Sequence, residues 1–125
     1  MNEDELSYQI IGAAIKVHRK LGPGLLEKIY QDCLEYELQK LDLVVEKEKK
    51  MSVVYDELSF DSGYRIDLLI NKKVVVELKS VEQVTDLHFA QTLTYLKLGK
   101  FKLGLIINFN VEILKHGVTR VVNGL

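Results

Sequence analysis

Asp67, Glu77 and Lys79 stand in a D-x9-E-x-K spacing within an otherwise apolar stretch. Strand side chains alternate between faces, so Glu77 and Lys79 point one way while Val74, Val76 and Leu78 point the other. If Asn71-Lys72-Lys73 is a three-residue hairpin loop, Ile70 pairs with Val74 and Asp67 lies directly across from Glu77. Their Cα atoms would then be roughly 4.5 to 5.5 Å apart, close enough to repel unless a cation lies between them. A two-residue turn would instead put them on opposite faces. Two carboxylates plus a backbone carbonyl, here that of Leu78, are oxygen donors suited to Mg²⁺ or Mn²⁺, and a phosphate could complete the shell. Lys79 beside such an ion could stabilise charge on a phosphorane-like transition state, or position and deprotonate an attacking water. The plainer alternative is a cross-strand ion pair, Asp67 with a lysine or Arg65 with Glu77, on a solvated sheet face.

Two further groups could join this chemistry. Gln91 and Tyr95 are four apart and share a helical face, with His88 three before Gln91. Packed over a sheet, that helix could aim Gln91 at a metal-bound water and Tyr95 at a phosphate; unassisted, the two would simply lie at a core boundary with the Tyr95 hydroxyl wet. Gly24, Glu27 and Tyr30 form G-x-x-E-x-x-Y. Gly24 is expected as the N-cap of a helix with Glu27 in its first turn, where the helix dipole favours a carboxylate with or without a metal. A functional Glu27 would be a third acid reaching the metal directly or through water, with Tyr30 one turn on as a second phosphate candidate.

The elements that must position these residues follow from periodicity. Ile10, Ala14, Val17 and Leu21 recur at helical spacing, and Asn2 with Glu5 offers an N-cap. Gly22-Pro23-Gly24 ends that helix, and Leu26, Ile29, Cys33, Leu34, Leu38 and Leu41 set a second stripe. Val44-Val45, Val53-Val54-Tyr55 and Leu58-Ser59-Phe60 read as short strands with a tight turn at Asp56-Glu57, followed by stronger strands over Tyr64 to Ile70 and Val74 to Ser80. Thr85 or Asp86 caps a third helix running to about Leu98, with Gly99 as its C′ residue. Leu103 to Phe109 is a buried strand and Val118 to Val122 an edge strand. This order predicts an α/β domain, a mixed central β-sheet flanked by helices with two helices at the N-terminus.

With 125 residues the chain is expected to form one domain over 1–125. Seventeen Lys+Arg against eighteen Asp+Glu give a net charge of −1, so no global positive field draws the molecule to a polyanion. A groove formed by some of Arg19, Lys20, Lys47, Lys49, Lys50 and Lys72 would favour nucleic acid, but the interleaving in Glu46-Lys47-Glu48-Lys49-Lys50 predicts a solvated face. One cysteine, Cys33, and three scattered histidines argue against an internal disulfide or a zinc site. The acidic opening Met1-Asn2-Glu3-Asp4-Glu5 and the lack of a long apolar run predict a cytoplasmic protein without a membrane span.

Taken together, these residues resemble the GxxExxY protein family within the PD-(D/E)xK nuclease superfamily. Gly24-Leu25-Leu26-Glu27-Lys28-Ile29-Tyr30 matches the name motif, the segments around Asp67 and Glu77-Leu78-Lys79 resemble the catalytic hairpin, and Gln91 to Tyr95 resembles a Q-x-x-x-Y motif. Ile66 stands where the superfamily's name has proline. The resemblance implies a restriction-endonuclease-like fold, with Asp67, Glu77 and the carbonyl of Leu78 binding Mg²⁺ or Mn²⁺. It further implies that Lys79 assists catalysis, Glu27 supports the metal or its water, and Gln91 and Tyr95 line the site. The implied activity is hydrolysis of phosphodiester bonds by a metal-activated water, on DNA ahead of RNA. The alternative is a non-catalytic nucleic-acid- or protein-binding module that keeps the fold. A homodimer would help so small a domain grip a duplex.

Overall fold

The computed structural model describes residues 1–125. Helix α1 (Glu3–Leu21) opens on Asn2, whose side chain accepts from the Glu5 N–H while the Glu5 carboxylate accepts from the Asn2 N–H. This reciprocal cap satisfies two donors that the first turn cannot pair within the helix. The helix stops at Gly22, whose φ of 73° lies in the left-handed region that glycine tolerates. After the Gly22-Pro23-Gly24 corner, α2 spans Glu27–Lys40.

Strand β1 (Val45–Tyr55) and strand β2 (Leu58–Ile70) form one long antiparallel hairpin around Asp56-Glu57, so the short strands expected between Val44 and Phe60 merge into two long ones. The charged run Glu46 to Lys50 does not interrupt β1, because Lys47 pairs with Asp32 and Glu35 of α2 and Lys49 with Glu46. Strand β3 (Val74–Lys79) returns antiparallel to β2 with Ile70 opposite Val74, as a three-residue loop requires. Helix α3 (Asp86–Gly99) then crosses to β4 (Leu103–Asn108), which runs parallel to β3, and a 3₁₀ turn (Leu114–Gly117) leads into β5 (Val118–Val122), antiparallel to β4. The sheet order is β1-β2-β3-β4-β5.

Both faces of the sheet are covered. Leu68, Val76, Leu78, Leu105 and Ile107 pack against Leu6, Ile10, Ala14, Tyr30, Leu34 and Leu38 of α1 and α2. Val75, Ile106 and Val121 pack against Leu96 of α3. Apart from Glu77, Lys79 and Asn108 near their ends, strands β3 and β4 are accordingly apolar on both sides, as expected of the parallel centre of such a sheet.

Three local expectations need correcting. The N-cap of α2 is Leu26, with no side-chain cap, and Gly24 instead supplies a φ of 96° within the corner. The buried face of α2 is Tyr30, Gln31, Leu34 and Leu38, while Leu26, Ile29 and Leu41 are exposed, because the sheet meets the helix on the Tyr30 side. Gly99 ends α3 from within, and the left-handed residue is Lys100. Gly99 is required for space, since a Cβ there would collide with the Phe101 ring.

Candidate active site

The β2–β3 ladder is regular from Ile70/Val74 to Leu68/Val76 and stops there. At the next pair the side chains take over from the backbone. The Asp67 N–H donates to Glu77 Oε2 at 2.8 Å, and the Leu78 N–H donates to Asp67 Oδ2 at 2.9 Å. Each carboxylate therefore fixes the other strand with one oxygen and leaves its second, Oδ1 or Oε1, outside these bonds. In a strand the N–H and C=O of one residue face the same neighbour, so the Leu78 carbonyl also opens toward the split.

Strand β2 turns over at this point. Ile66 packs in the α3-side layer and Leu68 in the opposite one, although residues two apart normally share a face. The β1–β2 ladder passes from Lys47/Leu68 to Lys49/Ile66 without a Glu48/Asp67 pair, and Glu48 is held in the left-handed region at φ 51°. This local irregularity lets Asp67 swing into the gap instead of continuing the ladder.

Glu77 is only 5% exposed. Burial, and then the charge of Asp67, pushes its carboxyl up to about 8, against weaker opposition from the Asp67 N–H, Lys79 and Arg65. Burial likewise raises Asp67; the Leu78 N–H and Lys79 oppose this, and the charge of Glu27 adds to it. Two buried acids that resist joint ionisation are an arrangement that a cation relieves. Lys79 shares the Glu77 strand and holds both carboxylates within its field.

Helix α3 brings Tyr95 over the pair. Its ring stacks on Tyr64 at 4.6 Å, and the Tyr64 hydroxyl donates to the Tyr95 carbonyl at 3.3 Å. Burial, followed by the charges of Glu77 and Asp67, raises the Tyr95 hydroxyl, which stays a proton donor. Gln91 lies exposed one turn earlier on the same helix face. The Thr85 cap, reciprocated by His88 Nδ1, fixes where this helix starts.

Glu27 is the first residue of α2 and is exposed, and its charge reaches Asp67. No three His, Cys, Asp or Glu side chains converge as ligands of one ion. Glu27 thus stands outside the carboxylate pair, with its charge felt at Asp67. Tyr30 is wholly buried, stacks on Phe109 at 4.3 Å, donates to the Gly22 carbonyl at 2.6 Å and accepts from the Leu25 N–H at 3.0 Å. Its hydroxyl is engaged by these two bonds and clamps the Gly22–Leu25 corner just before Glu27.

Several contributors escaped the sequence reading. Ser80 Oγ donates to the Leu25 carbonyl at 2.7 Å, tying the exit of β3 to the start of α2. Asn108, buried at the end of β4 opposite Lys79, accepts from the Val81 and Asn110 N–H groups and donates to the Val81 carbonyl. A lone amide ending an apolar strand was the available signal. Arg65 pairs with Glu48 at 3.3 Å, not with Glu77. The lysines expected on a solvated face lie in surface ion pairs, Lys47, Lys49 and Lys72 with Asp32, Glu35 and Glu46.

This geometry can be set against known proteins. The family model described as the PD-(D/E)XK nuclease superfamily matches residues 4–121. The chain belongs to the PD-(D/E)XK nuclease superfamily. A search of curated proteins finds no match. Nucleases of this superfamily act on nucleic acid and generally use divalent metals, usually Mg²⁺. The mixed five-stranded sheet with flanking helices is consistent with its restriction-endonuclease-like fold. Ile66, at the superfamily's proline position, is wholly buried in the α3-side layer. No helix is long and apolar enough to cross a membrane.

Proposed function

We propose that this chain is a nuclease of the GxxExxY group, a single domain that hydrolyses phosphodiester bonds with Mg²⁺ or Mn²⁺ held at the β2–β3 split, on DNA ahead of RNA. The observation that carries the reading is the buried pair Asp67 and Glu77, both raised toward the protonated form. Two carboxylates and the Leu78 carbonyl fit a hard divalent cation that keeps several waters. When bound, such an ion would polarise a scissile phosphate and lower the pKa of its water.

The remaining roles belong to the chain. Lys79 donates to a phosphate oxygen where negative charge grows in the transition state. Glu27 orients water at the mouth of the site, consistent with the reach of its charge to Asp67. Gln91 accepts from or donates to the attacking water, and Tyr95, kept protonated, donates to a phosphate oxygen. Tyr64, Ser80, Asn108 and Tyr30 hold these groups in register.

The test is cleavage of labelled single-stranded DNA, double-stranded DNA and RNA in Mg²⁺ and in Mn²⁺, with Asp67→Asn and Lys79→Ala prepared identically. The parent should cleave only with metal, and each substitution should lower the rate about a hundredfold or more. A folded parent that cleaves none of the three substrates would assign the chain to the non-catalytic binding module instead.

A further inference from the structure

The β1–β2 hairpin runs on beyond the layered part of the molecule. Residues Leu58 to Gly63 of β2 are all exposed, and Val54, Tyr55, Leu58 and Phe60 are 68%, 68%, 58% and 49% exposed. A projecting arm with four large apolar side chains in water is a surface that association would cover.

Strand β1 is also an edge of the sheet, with a row of unpaired backbone groups. Its first half is guarded. It carries the charged run Glu46 to Lys50, is distorted at Glu48, and is flanked by α2 through Lys28–Glu48, Lys47–Asp32 and Lys47–Glu35. Its second half, Met51 to Tyr55, has neither charge nor proline. The protection that edge strands normally carry ends where the apolar arm begins.

Charge decides the occupant. From Met51 to Tyr64 there is no Lys or Arg, while Asp56, Glu57 and Asp61 are acidic, so a phosphate backbone would be repelled. At the base of the arm Lys50 is exposed, beside neighbours already held in ion pairs.

We propose that two copies of this chain pair antiparallel along the Met51–Tyr55 half of β1, about a twofold axis at Val53. In that register Tyr55 of one copy faces Met51 of the other, and Asp56 faces Lys50. The contact is isologous and closes on itself, as a twofold dimer must. It supplies main-chain hydrogen bonds to the open edge and sets the apolar side chains of the two β1 strands side by side, where each shields part of the next. The two acidic tips stay about 20 Å apart along the strands, each against the other copy's basic base. This inference stands independently of the catalytic reading.

Sedimentation equilibrium on the full chain tests it. The parent should have twice the 14.3 kDa chain mass. The Val54→Lys/Tyr55→Lys double variant should sediment as single chains with an unchanged circular-dichroism spectrum, since both side chains are solvent-exposed. Lys50→Glu should raise the dimer Kd about tenfold or more, and adding Asp56→Lys should bring it back. Lysine is tolerated at such a turn, because Lys72 and Lys100 adopt φ of 55° and 60° against 51° at Asp56. A parent that stays at the single-chain mass up to about 1 mM would overturn the proposal. So would a dimer that the lysine pair leaves intact.

Discussion

Glu77→Gln separates the charge at the β2–β3 split from its shape. Glutamine keeps an oxygen that can accept from the Asp67 N–H, the bond now made by Glu77 Oε2 at 2.8 Å, and removes only the ionisable proton. The Glu77 carboxyl moves from an ordinary 4.5 to about 8 on folding. Its folded value lies above its unfolded one, so its stabilising protonated state is fully present below the unfolded value and lost as pH rises through the folded one. At 1.36 kcal/mol per unit the full shift corresponds to about 5 kcal/mol. Because the titration belongs to the Asp67–Glu77 pair and buried charges relax, we expect about 2 to 3 kcal/mol to be lost by the metal-free parent between pH 5 and 9. That is a fall in Tm of about 10 °C. Thermal unfolding in chelator across this range should show the fall in the parent and a nearly flat curve for Glu77→Gln. The two curves should coincide near pH 5, diverge progressively up to about pH 8 and run parallel above it, with the variant the more stable. Millimolar Mg²⁺ should restore the parent at pH 9 and leave the variant where it was. Parallel curves for parent and variant across the whole range would refute the argument that an uncompensated carboxylate pair is stored at this split.

Other expectations concern the groups that hold the site. Asn108→Ala removes three hydrogen bonds from a buried position, and should lower the unfolding free energy by about 2 to 4 kcal/mol in urea titration. It should also slow cleavage, since the segment leaving Lys79 loses its clasp. Tyr30→Phe keeps the stack on Phe109 but loses the bonds to Gly22 and Leu25. It should cost about 1 to 2 kcal/mol and lower kcat more than it raises KM in steady-state cleavage, because the corner just before Glu27 is loosened.

How far the sequence carried can be judged residue by residue. The Asn2–Glu5 cap, the Thr85 cap and the Asn71-Lys72-Lys73 loop are local, and each appears where spacing placed it. Loop length set the hairpin register, and the register set the Asp67–Glu77 opposition, so the centre of the site was legible. What spacing could not reveal is that the ladder ends there and the carboxylates replace it, because the turnover of β2 coincides with an irregularity in another strand, at Glu48. Tyr30 shares a motif with Glu27, yet its hydroxyl is engaged by Gly22 and Leu25, and periodicity gives no sign of which backbone atoms a phenol will meet. The α2 stripe was misjudged for a related reason: Ile29 and Leu41 satisfy helical spacing as well as Leu34 and Leu38 do, and only the position of the sheet distinguishes them. The interleaved lysines near Glu46 read as a solvated face, but their partners on α2, Asp32 and Glu35, lie too far along the chain for spacing to name.

The crossed bonds from Asp67 and Glu77 to the opposite strands have a consequence for how this chain can change over generations. The same two side chains form the proposed metal site and replace a missing rung of the sheet. A lineage released from selection for cleavage could exchange Asp67 for asparagine or Glu77 for glutamine with little damage, since an amide oxygen still accepts the strand's N–H. Drift to alanine would strand a part-buried donor and weaken the junction. Degenerate descendants of this protein should therefore carry amides at these two positions far more often than small apolar residues, an imprint of the sheet that outlasts the reaction.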